Sequence, residues 1–210
     1  MCLRDEAPGA IGVFGGSFSP IHHAHLWTAQ YVREEMGLAE IVFVPAGEHA
    51  FKDTLLPVHH RVEMVRLAIQ GVRHFRLSTI EVERPGPSYT YETLKQLQAE
   101  TPDTPLYFII GGDNLAELAS WYESERLLQE FPLLIVGRGQ DDRAAMTAFV
   151  QRHPLLSRYQ EQMRFIEAPF SFALNSSFIR ERLKAGKSIT YLVPPAVERY
   201  IYEHRLYMDG

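Results

Sequence analysis

The chain has 210 residues and a formal net charge of −5 at pH 7, and this length allows a folded unit with a sizeable core. The negative balance provides no broad basic surface, so nucleic acid is not expected as a partner. No run of about 18 apolar residues occurs, so no membrane partner is expected. The single cysteine, Cys2, allows no intrachain disulfide, which favours a reducing, cytoplasmic location.

Short apolar runs alternate with helical patterns along the chain. The apolar runs predict strands at 10–14, 41–44, 75–82, 106–110, 133–136 and 164–166. Helical spacing predicts one helix that starts at 19–20 and stops before Gly37, others at 58–69, 89–99, 143–152, 175–184 and 196–204, and helical material up to Gln129.

This alternation of short, continuously apolar strands with helices is typical of a parallel sheet covered on both faces. We therefore predict an α/β fold, a Rossmann-like doubly wound parallel sheet with helices on both faces. Composition supports no internal boundary, so residues 1–210 are predicted to form a single domain with a small helical part at about 175–210.

The junction between the first strand and the first helix contains two glycines, Gly15 and Gly16. Glycine lets backbone N–H groups approach a ligand closely, and a helix start favours anions, so this turn is a candidate phosphate site. It lacks the Gly-Lys-Ser/Thr of a P-loop and the Gly-x-Gly-x-x-Gly of dinucleotide-binding enzymes. A tight turn without a ligand is the alternative.

Two histidines, His22 and His25, follow the glycines three residues apart, so in a helix they share one face. Two imidazoles beside such a turn can donate hydrogen bonds to phosphate oxygens. A metal site is disfavoured because no carboxylate stands at a ligand spacing. A purely structural histidine pair is the other alternative.

The stretch Gly15-Gly-Ser-Phe-Ser-Pro-Ile-His-His-Ala-His25 resembles the Gly-Gly-Thr-Phe-Asp-Pro-Ile-His-x-Gly-His signature of the adenylyltransferase superfamily. More narrowly, the chain is similar to the bacterial nicotinate mononucleotide adenylyltransferases. The likeness continues, in order, in Phe43-Val-Pro-Ala46, His60-Arg-Val-Glu-Met64, Gly86-Pro-Ser-Tyr-Thr90, Phe108-Ile-Ile-Gly-Gly-Asp113, Asn175-Ser-Ser-Phe-Ile-Arg180 and Ser188-Ile-Thr-Tyr-Leu-Val-Pro194.

The resemblance implies that the chain joins ATP and nicotinate mononucleotide to give deamido-NAD and pyrophosphate in NAD biosynthesis. The mononucleotide phosphate would attack the ATP α-phosphorus in line, with Mg²⁺ carried on the ATP phosphates. Alternatives are an adenylyltransferase for nicotinamide mononucleotide or phosphopantetheine, and a nucleotide-binding sensor without turnover. A homodimer is neither indicated nor excluded.

The resemblance also assigns residues to the two substrates. His25, His22 and Arg180 would be catalytic, and Ser176 and Ser177 would begin a helix that binds phosphate. The ATP-binding set is Gly15, Gly16, Ser17, Phe18, His22, His25, Asp113, Arg138, Ser176, Ser177 and Arg180. The mononucleotide set is Lys52, Tyr89, Thr90 and Trp121. By residue type alone, a helix cap remains the alternative for Asp113, core packing for Trp121 and a solvated surface position for Arg180 and Arg138.

The chain departs from the family signature at a few positions. Ser19 replaces an aspartate, Ala24 a glycine, and Asn175 the first serine of the last motif. These are small, polar or helix-compatible changes, so phosphate binding is expected to survive them. Glu48-His-Ala-Phe-Lys52 stands where Pro-Pro-His-Lys is usual, on the mononucleotide side.

Overall fold

The computed structural model describes residues 9–47, 56–137, 142–169 and 173–208. Over these ranges six strands form one parallel sheet in the order β3-β2-β1-β4-β5-β6. Val13 at the centre of β1 pairs with Val42 of β2 on one side and with Phe108 of β4 on the other. The strands are β1 (Ile11–Gly16), β2 (Glu40–Pro45), β3 (Phe75–Leu77), β4 (Leu106–Gly111), β5 (Leu133–Gly137) and β6 (Met163–Glu167).

Helices connect and flank these strands. The described residues form α1 (His23–Met36), α2 (Val58–Ile69), α3 (Ile80–Glu83), α4 (Thr90–Glu100), α5 (Ser124–Glu130), α6 (Asp142–Arg152), α7 (Ser176–Lys184) and α8 (Pro195–Glu203). Short 3₁₀ turns occur at Gly112–Asn114, Leu118–Ser120 and Leu156–Gln162. Over the same ranges, every helix is too short or too polar to cross a bilayer.

Two hydrophobic layers sandwich the sheet, because successive side chains of a strand point to opposite faces. In β2, Ile41 and Phe43 face one layer, whereas Val42 and Val44 face the other. The first layer holds buried residues of α1, α2, α7 and α8, and the second holds those of α4, α5 and α6. The predicted doubly wound α/β fold is confirmed.

Several helix predictions agree closely with the structure. Helix α2 occupies the predicted range 58–69, and Ala29, Val32 and Met36 line the buried face of α1. Gly37 ends α1 with a left-handed φ of 63°, a conformation that suits glycine because it has no Cβ. The helical spacing of Val58, Val62, Val65 and Ile69 predicts one face of α2. Val65 and Ile69 are buried as expected, whereas Val58 and Val62 are only partly buried and Arg61 and Met64 complete the buried face.

The predicted strand 75–82 is wrong in its second half, since β3 ends at Leu77 and α3 follows. The last backbone hydrogen bond of this pairing runs from Ser78 N–H to the Phe43 carbonyl at 2.9 Å. Two residues beyond Phe43, the partner strand reaches Pro45, which has no N–H to donate. The chain therefore continues as a helical turn from Ile80, which buries Ile80 and Glu81. The expected helical stretch before Gln129 is likewise divided into 3₁₀ turns and α5.

Candidate active site

The glycine turn lies at the carboxyl edge of the sheet, where the strand order reverses. Strand β1 lies between β2 and β4, so the chain leaves neighbouring strands toward opposite faces and opens a crevice between them. Ligands of open α/β sheets bind at such a switch point. Gly15 and Gly16 end β1, and Gly111 ends β4 just before Asp113. The topology thus places the predicted phosphate turn and Asp113, a predicted ATP-binding residue, at the same edge.

Residues 15–20, which we call the phosphate turn, are shaped by the ring of Phe18. This side chain is 2% exposed and contacts Phe14 edge-on at a centroid distance of 5.8 Å. A Cβ on Gly16 would approach the Phe18 ring to 3.0 Å, so a larger residue at 16 would displace the ring. The Phe18 ring therefore supports the turn from inside the core, and the backbone of the turn is the part that a ligand can reach.

His22 and His25 form a stacked pair at the start of α1. The helix begins at His23 with His22 as its N-cap, so the predicted start at 19–20 is wrong by about one turn. The two rings lie 3.6 Å apart with an interplanar angle of 19°, which confirms that they share a face. His22 is 3% exposed, and the edge-on contact between Phe18 and His25 has a centroid distance of 5.1 Å.

The backbone determines which nitrogen of His25 carries a proton. The His22 N–H donates to His25 Nδ1 at 3.3 Å, so Nδ1 is an acceptor. In a neutral imidazole the other nitrogen then carries the hydrogen. His25 therefore presents an Nε2–H donor even when it is uncharged. A donor held in this way can bind a phosphate oxygen without first gaining a proton.

Helix α7 brings the motif Asn175-Ser-Ser-Phe-Ile-Arg180 to the phosphate turn. Asn175 caps the helix by accepting the Phe178 N–H at 2.8 Å. Ser176 Oγ donates to the Pro20 carbonyl at 2.9 Å. Arg180 donates from one Nη atom to the Ser19 carbonyl at 2.8 Å and from the other to Ser177 Oγ at 3.0 Å. The substitution at Asn175 thus retains a capping side chain, and the N-terminus of α7 adjoins the turn.

Arg61 is a site-supporting residue that the sequence reasoning missed. Its guanidinium is 2% exposed and donates at 3.1 Å to each of three carbonyls, those of Ser17, Gly47 and Leu56. Burial lowers the pKa of Arg61, and nearby Tyr207 and then Glu81 oppose that shift. The available signal was a charged residue on the buried stripe of an amphipathic helix.

The predicted mononucleotide residues lie near the carboxyl ends of β2 and β4. The Gly47 N–H donates to Ser88 Oγ at 3.1 Å, which joins the end of β2 to the segment before Tyr89 and Thr90. The Tyr89 ring stacks on Tyr122 at 4.4 Å, so this segment also contacts the residue that follows Trp121. Tyr122 was not singled out from the sequence.

Trp121 is partly buried and meets the Phe108 ring edge-on at 6.2 Å, so core packing accounts for part of its environment. Asp113 is exposed within the 3₁₀ turn Gly112–Asn114, whose N-cap is Gly111, so the helix-cap alternative for Asp113 is wrong. Three predictions, Lys52, Arg138 and the altered segment 48–52, lie outside the described residues. Among the described residues, no group of three or more His, Cys, Asp or Glu side chains is arranged to hold a metal ion.

Comparison with known proteins gives this fold and site a family. Residues 13–182 match the cytidylyltransferase-like family. A solved structure described as Plasmodium falciparum nicotinic acid mononucleotide adenylyltransferase complexed with NaAD has a TM-score of 0.76 to this chain. It is 24% identical and the match covers 94% of this chain and 97% of that one, which shows the shared fold.

Curated relatives are more similar in sequence. Three proteins named probable nicotinate-nucleotide adenylyltransferase come from Synechococcus sp. (strain JA-3-3Ab), Pelobacter propionicus and Symbiobacterium thermophilum. They are 38%, 40% and 41% identical; the matches cover 100%, 95% and 95% of this chain and 100%, 98% and 96% of the relatives. The chain therefore belongs to the cytidylyltransferase-like family and, within it, to the nicotinate-nucleotide adenylyltransferases.

Proposed function

We propose that this chain transfers AMP from ATP to nicotinate mononucleotide, giving deamido-NAD and pyrophosphate in NAD biosynthesis. The observation that carries the proposal is the meeting of His25 and Arg180 at one phosphate turn at the sheet's switch point. His25 adjoins the turn through Phe18, and Arg180 binds its Ser19 carbonyl. The full-length similarity to named nicotinate-nucleotide adenylyltransferases supports the choice of substrates.

The reaction requires positioning and charge stabilisation rather than a covalent enzyme intermediate. An oxygen of the mononucleotide 5′-phosphate forms a bond to the ATP α-phosphorus. The bond from that phosphorus to the bridging oxygen breaks, and pyrophosphate leaves with the electron pair. No proton has to move, because the attacking phosphate is already ionised. The protein's task is to hold donors where negative charge accumulates.

The described residues supply such donors at two places. His25 Nε2–H and the backbone N–H groups of the phosphate turn would bind the α-phosphate, with His22 stacked behind His25. Arg180, Ser177 and the first turn of α7 would bind the departing pyrophosphate, since a helix N-terminus and an arginine fork both suit phosphate oxygens. Enzymes that transfer phosphoryl or nucleotidyl groups from ATP generally use it with a divalent metal. We propose Mg²⁺, which arrives as part of the MgATP substrate.

The remaining sequence-derived roles also stay proposals. Asp113 would accept hydrogen bonds from the adenosine ribose, and Gly15 through Phe18 would contact ATP through their backbone. Trp121 would stack on the pyridine ring beside Tyr89 and Thr90. Lys52 and Arg138 are retained as mononucleotide-binding and ATP-binding candidates. Residues 1–210 would work as one nucleotidyltransferase domain, since α7 contributes directly to the site built on β1.

The test is a pyrophosphate-release assay with MgATP and each of three acceptors supplied separately. We expect rapid release with nicotinate mononucleotide, slower release with nicotinamide mononucleotide and none with phosphopantetheine. The dinucleotide product should form in equal amount to pyrophosphate. Release with phosphopantetheine alone, or with no acceptor at all, would overturn the proposal. A preference for nicotinamide mononucleotide would correct the acceptor while retaining the reaction type.

A further inference from the structure

The chain returns to the phosphate turn once more after α8. Helix α8 ends at Glu203, and the buried side chain of Leu206 anchors the following segment to the core. The Tyr207 hydroxyl then lies 2.9 Å from Ser19 Oγ. Ser19 is itself 1% exposed, so this hydrogen bond joins the C-terminal segment to the phosphate turn inside the protein.

Ser19 is the residue through which several contacts converge. Its carbonyl accepts the hydrogen bond from Arg180 at 2.8 Å, and its hydroxyl meets Tyr207. The same residue is therefore held from two sides, by α7 through its backbone and by the C-terminal segment through its side chain. Any rotation of the turn at Ser19 would move the carbonyl that positions Arg180.

Burial favours a neutral hydroxyl on Tyr207. Burial raises the pKa of Tyr207 to about 12, although the Ser19 hydrogen bond and then the charges of Arg180 and Arg61 act in the opposite direction. The hydroxyl oxygen therefore lies near two guanidinium groups and keeps its proton at any working pH. Either hydroxyl can donate in this hydrogen bond, and with either donor the bond ties Tyr207 to Ser19.

The backbone of Tyr207 is also unusual. Its φ is 63°, a left-handed conformation that is unfavourable for a residue with a Cβ. Such strain persists where surrounding contacts hold the residue in place. Here the partly buried Tyr207 ring packs against the same core layer that supports α1 and α7.

We propose that Tyr207 is a positioning residue for the triphosphate site, holding Ser19 so that its carbonyl aims Arg180 at the departing pyrophosphate. The proposal rests on the proposed function, because it deepens the role given there to Arg180. Tyr207 touches no substrate in this account. Its effect should reach ligands that carry two linked phosphates and should not reach the mononucleotide.

The experiment measures equilibrium dissociation constants of the full chain for MgATP, for magnesium pyrophosphate and for nicotinate mononucleotide. The variants are Tyr207→Phe, Ser19→Ala and the double variant. Because Tyr207→Phe loses one neutral hydrogen bond, we expect its dissociation constants for MgATP and magnesium pyrophosphate to rise about fivefold. Because Ser19→Ala breaks the same bond from the other side, it should give a similar loss. The double variant should lose no more affinity for these ligands than either single variant does.

A matched control is Tyr31→Phe, which removes another tyrosine hydroxyl bond, to the Glu167 carbonyl at 3.0 Å. It should leave these dissociation constants unchanged. Wild-type affinity for Tyr207→Phe, or losses that multiply in the double variant, would overturn the proposal, as would an equal loss of mononucleotide affinity. If the wild type binds MgATP but does not use nicotinate mononucleotide, the proposed function fails while this titration still decides the role of Tyr207. If the wild type does not bind MgATP, both fail.

Discussion

Arg61 lies beneath the phosphate turn and allows a quantitative prediction. Its three hydrogen bonds of 3.1 Å reach the phosphate turn at Ser17, the end of β2 at Gly47 and the residue before Pro57 at Leu56. Charged donors contribute roughly 1.5–3 kcal/mol per bond. Arg61→Met forfeits all three and leaves three carbonyls to find new partners. It also removes the cost of burying a cation, which is several kcal/mol.

The balance is a loss of about 3 kcal/mol in the free energy of unfolding, which corresponds to a fall of roughly 6–12 °C in Tm for a chain of this size. Thermal unfolding followed by circular dichroism measures this directly. Arg61→Lys keeps the charge but not the planar guanidinium, so its Tm should lie between that of the wild type and that of Arg61→Met.

Arg66→Met is the matched control, because Arg66 lies on the same helix with its side chain 52% exposed and forms a surface ion pair with Glu63. It should not shift Tm measurably. A loss of 1 kcal/mol lowers the Tm of a chain of this size by at least ~2 °C. A Tm for Arg61→Met that differs from wild type by less than about 2 °C would therefore refute this reasoning about buried charge.

Three further predictions concern the site and its surroundings. His25→Ala should lower kcat by about 10²–10³-fold with an unchanged Tm, as expected for a lost charge-stabilising donor; near-normal turnover would show that His25 is the wrong residue. Trp121→Ala should raise KM for the mononucleotide but hardly that for ATP in steady-state assays; equal effects would identify Trp121 as a packing residue alone. Burial, His59 and His204 lower the pKa of His60, so the folded state binds fewer protons than the unfolded state. Stability should therefore be lost as pH falls below about 6.5. In His60→Gln, Tm measured between pH 5 and 8 should depend less on pH, and an unchanged slope would contradict the assignment.

The elements that could be predicted are those whose signal is local. The six predicted strands all exist, because a buried strand of a parallel sheet requires a continuous apolar run. The buried face of α1 carries Ala29, Val32 and Met36, three residues that repeat at helical spacing in the sequence. The glycine turn was also visible, because Gly15 and Gly16 interrupt the apolar run of β1, and a Cβ on Gly16 would approach the Phe18 ring to 3.0 Å.

The errors occurred where a neighbouring segment overrides the local pattern. Ile80 and Val82 are β-branched and alternate with Glu81 as in a strand, yet the partner strand β2 ends at Pro45, which has no N–H to donate. The start of α1 moved because His22, rather than Ser19, occupies the cap position. Ser19 is engaged elsewhere, with Tyr207 and Arg180.

The sequence by itself determined the fold class, the family and the candidate phosphate-binding motifs, because their signals lie in contiguous residues. Only the tertiary structure decided how the phosphate turn is held. Its contacts join residues separated by 44 positions for Arg61 and Ser17, 161 for Arg180 and Ser19, and 188 for Ser19 and Tyr207. No periodicity spans such distances; these pairs meet because parallel strands bring their carboxyl ends to one edge and α2, α7 and the C-terminal segment pack on the same face.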